Sequence, residues 1–244
     1  MIRKLMAVLF VAAMPCIASA QYAQTKVGQK LTYTVTDKAN NNTNTVNVIA
    51  DSIYTTAEGT ITRTKNVIPS ENPLADDVVV YGATMYTTAD APTTVYLMRG
   101  EDFKAFILGV MTEAMRQSGQ ASEEQLKEAA EMFKSKGDLM LVLDPKAAPG
   151  TKIESSRLRL DVGPQVMSMA VSNGVVDGFE DVTTDAGTFS CIKVSYQMRS
   201  NTPDGAQKEY VTDWYAPGIG QVKEVKTNKK GEVLTEQVLT AISE

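Results

Sequence analysis

Along most of the chain, apolar and polar residues alternate one for one. Leu31, Tyr33 and Val35 fall on one side of an extended chain, and Thr32, Thr34 and Thr36 on the other. That period of two marks a half-buried strand. The same period or a β-branched run returns over 45–54, 60–68, 77–88 and 94–98. Polar or Pro/Gly turns separate these runs: Asn40-Asn41-Asn42-Thr43-Asn44, Ala57-Glu58-Gly59, the loop around Pro69 and Pro73, and Ala91-Pro92. Gly82, inside the fourth run, predicts a bulge or bend.

The period changes at Glu101. Phe103, Phe106, Ile107, Val110, Met111, Ala114 and Met115 recur at steps of three and four, as on an amphipathic helix. Glu101 and Asp102 place acids in its first turn, where the helix dipole favours them, and Ser118-Gly119 stops it. Ser122, with Gln125 three residues on, forms a capping box for a second helix. Its apolar face (Leu126, Ala129, Ala130, Phe133) continues through Met132 to Lys136, and Gly137 ends it. The pattern predicts a helical hairpin over 101–136, inserted between strands and covering the open face of a sheet.

Strand patterning then resumes. Residues 138–143 are nearly all apolar, as in a strand covered on both sides. Leu158, Leu160 and Val162 alternate with Arg157, Arg159 and Asp161. Asn173-Gly174 is the strongest short hairpin signal in the chain and predicts a reversal between 165–171 and 175–183. Two alternating strands and the start of a third then fill Gly187–Lys223, which holds the chain's only tryptophan, Trp214, and a last strand covers 232–242. About a dozen short strands joined by tight turns predict a mainly β (α+β) fold, a curled antiparallel sheet or incomplete barrel. With no Pro/Gly/Ser-rich linker, residues 21–244 read as a single domain carrying the helical insertion.

The first twenty residues fall outside this pattern. Arg3 and Lys4, the apolar run from Leu5 to Met14, and Ala18-Ser19-Ala20 have the proportions of a signal peptide, with cleavage between Ala20 and Gln21. The apolar run is too short to span a bilayer. Cys16 follows Met14-Pro15 rather than a small residue, which disfavours a lipoprotein signal. Export is the expectation, to the periplasm or the outer face of a bacterial envelope.

Without Arg3 and Lys4 the chain carries 22 basic and 29 acidic residues, a net charge of −7. An acidic chain with no basic stretch is a poor candidate for nucleic acid or anionic lipid. Cys191 is left as the single cysteine and reads as a small buried hydrophobe, since it has no partner for an internal disulfide. There is no histidine. That removes the Ser-His-Asp and Cys-His arrangements and the commonest zinc ligand.

Asp185-Ala186-Gly187-Thr188-Phe189-Ser190-Cys191 and Trp214-Tyr215-Ala216-Pro217-Gly218-Ile219-Gly220-Gln221-Val222-Lys223 resemble the TapB-like secreted proteins of Bacteroidota. Their pattern runs Thr-Pro-Ala-Gly-Thr-Phe-x-Cys, then a strand, then Trp-Tyr-Ala-x-Gly-Val-Gly-x-Val-Lys. Thr184-Asp185 stand here where that pattern has Thr-Pro. The resemblance implies an architecture similar to lipoprotein carriers of the LolA and LolB type, an incomplete barrel around a helical lid over an apolar cavity. It carries over no catalytic residue.

Within the motif, Gly187, Gly218 and Gly220 read as turn glycines, and Phe189, Trp214 and Tyr215 as corner packing, with a sugar-stacking platform as the sharper alternative. Nine methionines remain after the leader, and Met98, Met111, Met115, Met132 and Met140 cluster in or beside the insertion. They serve either as filler between hairpin and sheet or as a lid over an acyl chain, because methionine adapts to varied shapes. The residues assigned to ligand contact on this reading are Phe106, Val110, Met111, Met115, Met132, Phe133 and Met140. Asp177, Glu180, Asp181 and Asp185 lack the spacing of a calcium loop, so neither metal nor cofactor is expected. Asp51-Ser52-Ile53 fits a short O-glycosylation pattern, which intact mass would check. The leading function is a non-catalytic carrier of an apolar or amphiphilic ligand held between sheet and hairpin. An envelope protein that recruits a protein partner and a histidine-independent hydrolase stay open.

Overall fold

The structure, a computed structural model, describes residues 21–38, 40–68, 78–88, 91–117, 124, 128, 130–203 and 205–244. Five strands come first: β1 (Lys30–Asp37), β2 (Asn42–Thr55), β3 (Thr60–Ile68), β4 (Val78–Tyr86) and β5 (Thr93–Met98). Helix α1 (Gly100–Gln117) follows. Then come β6 (Phe133–Lys136), β7 (Leu139–Leu143), β8 (Lys152–Ile153), β9 (Ser156–Val162), β10 (Gln165–Thr184), β11 (Gly187–Thr202), β12 (Gly205–Ala216), β13 (Gly220–Thr227) and β14 (Val233–Ser243).

Among the described residues these form one antiparallel sheet of 14 strands, in the order β6-β9-β10-β11-β12-β13-β14-β1-β2-β3-β4-β5-β7, with β8 pairing on β10. The two end strands of that path, β6 and β7, are separated in the chain by only Gly137 and Asp138. The sheet must therefore curl until its edges lie side by side. The curl stays open as a ladder. At the seam the Ser156 hydroxyl accepts from the Met140 amide (2.9 Å) and donates to the Met140 carbonyl (2.8 Å). Leu141 and Leu143 of β7 and Leu158 and Leu160 of β9 are fully buried on the inner side. Each contributes about 1.5–3 kcal/mol by burial.

α1 lies over this seam, touching β6 and β9 on one side and β4 on the other. The Asp138 carboxylate accepts from the Gly100 amide at 2.7 Å, Ser135 Oγ donates to Glu101 at 2.6 Å, and Arg63 of β3 donates to Asp102 at 2.8 Å. The first of these satisfies a helix-start amide that would otherwise lack a partner, and the other two tie the first turn to β6 and β3. Most of the expected second helix lies outside the described residues, although Glu124, Glu128, Ala130 and Glu131 are helical. The expectation that it runs to Lys136 is overturned. The chain turns at Met132, and Phe133–Lys136 form β6 because alternation there buries Phe133 and exposes Lys134 and Lys136.

Two glycines do something other than the pattern predicts. Asn173-Gly174 does not reverse the chain; β10 runs straight through it with a register shift between Ser172 and Val175. Asn173 adopts a positive φ of 53°, but a Cβ on Gly174 would stand 2.8 Å from the Cβ of Ile153. The glycine is there for the close approach of β8, and the extra residues form a bulge. Gly82 makes no bulge: β3 and β4 pair through it without a shift, and its missing Cβ leaves room for Thr64 Oγ1.

A second cluster packs the tip of the β10–β11 hairpin (Val182, Ala186, Phe189) against Leu31 and Tyr33 of β1 and Leu239 of β14. Cys191 lies in it, fully buried, and burial followed by the nearby Asp181 and Glu180 pushes its thiol up to about 12. A disulfide-exchange reagent such as DTNB is expected to leave Cys191 unmodified in the folded protein until denaturant is added, then to titrate it. Rapid labelling of the native protein would contradict this burial.

Candidate functional site

Residues 21–24 form no strand, yet all four are buried. This strap crosses the interior of the curl. Its carbonyl at Gln21 accepts from Gly218 N (2.8 Å), its amide at Tyr22 donates to Thr93 Oγ1 (3.2 Å), and its carbonyl at Gln24 accepts from Thr62 Oγ1 (3.0 Å). Gly218, with φ +73°, closes a Pro-Gly turn in which Ile219 N bonds Ala216 O, and the turn aims that amide inward.

Beside the strap the curl forms a partly open cavity of about 520 Å³. Its wall is mainly apolar: Leu31 and Val35 of β1, Val46 and Val48 of β2, Val80 of β4 and Leu97 of β5. Three methionines, Met98, Met169 and Met198, face it from β5, β10 and β11. The volume falls in the range of small-molecule sites, about 300–1,000 Å³.

One pole is polar. Gln221, Glu224 and Lys226 of β13 and Gln237 of β14 line it, and among the described residues Glu224 and Lys226 are the only charged side chains on the wall. They neutralise each other at 3.1 Å. Directly across the ladder from Glu224 stands Asp213 of β12, fully buried. Its Oδ2 accepts from Tyr196 Oη (2.9 Å) and Tyr215 Oη (3.1 Å), and its Oδ1 from Gln221 Nε2 (3.1 Å). Gln237 donates to Gln221 Oε1 at 2.8 Å, and Tyr33 Oη donates to the Gln221 carbonyl at 2.7 Å. Burial, and then the Glu224 charge, push the Asp213 carboxyl up to about 8, far above the usual carboxylate range. On the far wall the hydroxyl of Thr84 is buried without a hydrogen-bond partner among the described residues.

The residues assigned to ligand contact from the sequence sit elsewhere. Phe106 is half-buried on α1, Val110 (55% exposed) and Met111 project outward, and the Met115 side chain lies outside the described residues. Met132 is exposed in a turn, Phe133 is in the core, and Met140 is held at the seam. Of the other six, whose side chains are described, none lines the cavity. The space under α1 is filled by Phe103, Ile107 and Leu108. From the glycine-rich stretch, however, Tyr215 and Gly220 do line it. Gly187 (φ +135°) stands at the hairpin tip with Phe189. Trp214 lies between Lys193 and Lys223, 5.1 and 5.6 Å from its ring, and donates to Glu180 at 2.6 Å, so its faces are taken by the protein's own cations. Asp177 accepts from Ser195, and among the described residues no three carboxylates converge. Asp51-Ser52-Ile53 is half-buried in β2, with Asp51 bonded to Lys65, and Ala20 is outside the described residues.

The polar pole was missed, though a signal existed. Val211, Asp213 and Tyr215 share one side of a strand, so the same alternation that identifies the strand places an acid on its buried face.

Residues 122–239 match the model of a family described as DUF3108-like. This region takes in β6 to β13, most of β14, and Asp213 with its three donors, and leaves β1–β5 outside. No curated protein matches the sequence. A candidate exported protein with a YmcC-like fold from Bacteroides fragilis is 20% identical, with a TM-score of 0.64 over 92% of this chain and 100% of its own. A candidate lipoprotein from Parabacteroides distasonis is 16% identical, with a TM-score of 0.63 over 92% of this chain and 99% of its own. At these identities the likeness is one of fold.

Proposed function

We propose that the protein is an exported, non-catalytic carrier that holds an apolar or amphiphilic molecule inside the curl of its sheet. The cavity of about 520 Å³ beside the buried strap is the observation that carries this reading. Its methionines suit a flexible chain. Its polar pole offers amides, hydroxyls and a self-neutralised ion pair but no free charge, which favours a ligand with an uncharged head. The unpartnered Thr84 hydroxyl is a further group for such a head to satisfy. An address in the envelope is supported by the leader-like first twenty residues and by the names of the two fold neighbours. Kinship with the TapB-like proteins belongs to the same proposal and rests on Gly187–Lys223.

A hydrolase would use Asp213 and Glu224 as its carboxylate pair. Both Asp213 oxygens are occupied by the protein's own donors. Among the described residues Glu224 is left as the one carboxylate on the wall, which supports binding over catalysis.

The test is protein purified from its native host, extracted with organic solvent and analysed by mass spectrometry beside native mass measurement. One apolar molecule per chain is expected. Val48→Trp, which fills the cavity, should lose it while melting normally. An empty extract, together with no uptake of an apolar fluorescent probe by the extracted protein, would end the carrier reading.

A further inference from the structure

The chain has no basic run, yet the fold builds a basic face. Strand register sets three rows on the outer side of β6, β9, β10, β11 and β12. The first row is Lys136, Arg159, Ser168, Asn201 and Ala206; the second is Arg157, Ala170, Arg199 and Lys208; the third is Lys134, Asp161 and Val166. Six of these twelve positions are basic and one is acidic, in a protein whose net charge without its leader is −7. All six cations are exposed. Asp161 is taken up by Arg159 at 2.8 Å. Among the described residues Arg157 and Arg199 have no carboxylate partner.

The small side chains of Ser168, Ala170 and Ala206 floor a groove of about 510 Å³ between Arg157, Arg199 and Lys208. Adjacent strands lie about 4.8 Å apart, so the two arginines flank Ala170 at roughly twice that distance, a span that brackets one phosphate group. Exposed apolar side chains border the face. Val166 is in its third row, and Met132 immediately precedes β6. Cations on a sheet face with exposed apolar side chains at the margin fit the headgroup layer of a bilayer, where phosphates meet basic groups and short apolar side chains enter the interface.

We propose that this face docks the protein on an anionic lipid surface, with lipid phosphates seated between Arg157 and Arg199. The proposal is independent of what the internal cavity holds.

The test is co-sedimentation of the exported protein with vesicles of phosphatidylcholine alone and with phosphatidylglycerol added. At low salt the protein should sediment with the anionic vesicles and stay in solution with neutral ones, and binding should fall steeply as salt rises. Arg157→Glu with Arg199→Glu should weaken binding at least tenfold. Lys229→Glu with Lys230→Glu, an equal charge change at the exposed β13–β14 turn, should leave it within twofold. Urea melts of both variants check that the fold is kept; if the arginine pair melts early, Arg157→Gln with Arg199→Gln takes its place. Absence of binding to anionic vesicles, equal weakening by both charge changes, or binding to soluble polyanions such as heparin with none to vesicles would each overturn the proposal.

Discussion

Replacing Asp213 with alanine is expected to lower the unfolding free energy by at least about 3 kcal/mol, because three buried donors lose their acceptor at roughly 1–3 kcal/mol each. Those donors are Tyr196 Oη, Tyr215 Oη and Gln221 Nε2, and they tie β11, β12 and β13 together behind the cavity. The loss continues outward, since Gln221 also receives Gln237 of β14 and Tyr33 of β1. One carboxyl thus organises five consecutive strands of the sheet. Domains of this kind are stable by only about 5–15 kcal/mol, so the variant should express poorly and unfold at far lower urea.

Asparagine at the same position separates shape from proton. The folded protein holds the Asp213 proton to about pH 8, against an ordinary value of 3.8. The folded state therefore binds a proton that the unfolded chain has already released. Its stabilising contribution is complete below the unfolded value, declines as pH rises toward 8, and is gone above it. Asp213→Asn cannot ionise and presents an N–H₂ where the acid carries its proton. In Asp213→Asn, Gln221 turns its carbonyl toward residue 213 and Gln237 follows. Urea midpoints should be similar for the two proteins near pH 4, with the variant increasingly favoured toward pH 9. A difference that is constant across that range would mean the buried proton is not on Asp213.

The parts of this molecule that follow from one strand at a time were readable in its sequence. Alternation in Leu31, Tyr33 and Val35 places all three on the inner side, and the steps of three and four from Phe103 onward identify α1. What depends on neighbours was not readable. Gly174 looks like a turn until Ile153 of another strand is seen against it. Phe133 fits a helical stripe, but its alternation with Lys134 and Lys136 serves β6. The cavity is built from strands distant in sequence, so methionines clustered along the chain near α1 were a weaker guide than Met98, Met169 and Met198, which converge only in space. The basic face is the extreme case. Its cations come from four strands, and only the ladder register brings them onto one side.

Gly137→Ala is expected to be nearly as damaging, at about 2–5 kcal/mol, from left-handed strain of about 1–2 kcal/mol and overpacking of about 1–3. Gly137 has φ +73°, and a Cβ there would stand 2.4 Å from the Arg157 carbonyl oxygen, a backbone atom with little freedom to retreat. On its other side the Gly137 carbonyl is already 2.6 Å from where a Cβ on Gly100 would lie. The turn that joins the two edges of the sheet is therefore packed backbone against backbone beneath the start of α1. Gly150 supplies the control. Its φ is +88°, but a Cβ there meets nothing within 4 Å, so Gly150→Ala should cost only the left-handed strain, about 1–2 kcal/mol. Hydrogen exchange adds a spatial readout. In Gly137→Ala the amides of β6, β7 and the first turn of α1 should exchange faster than those of β12 and β13, because the seam opens before the Asp213 network does. Equal losses in the two alanine variants would mean that the seam tolerates the added methyl, and that Ser156 and the buried leucines hold the edges together without it.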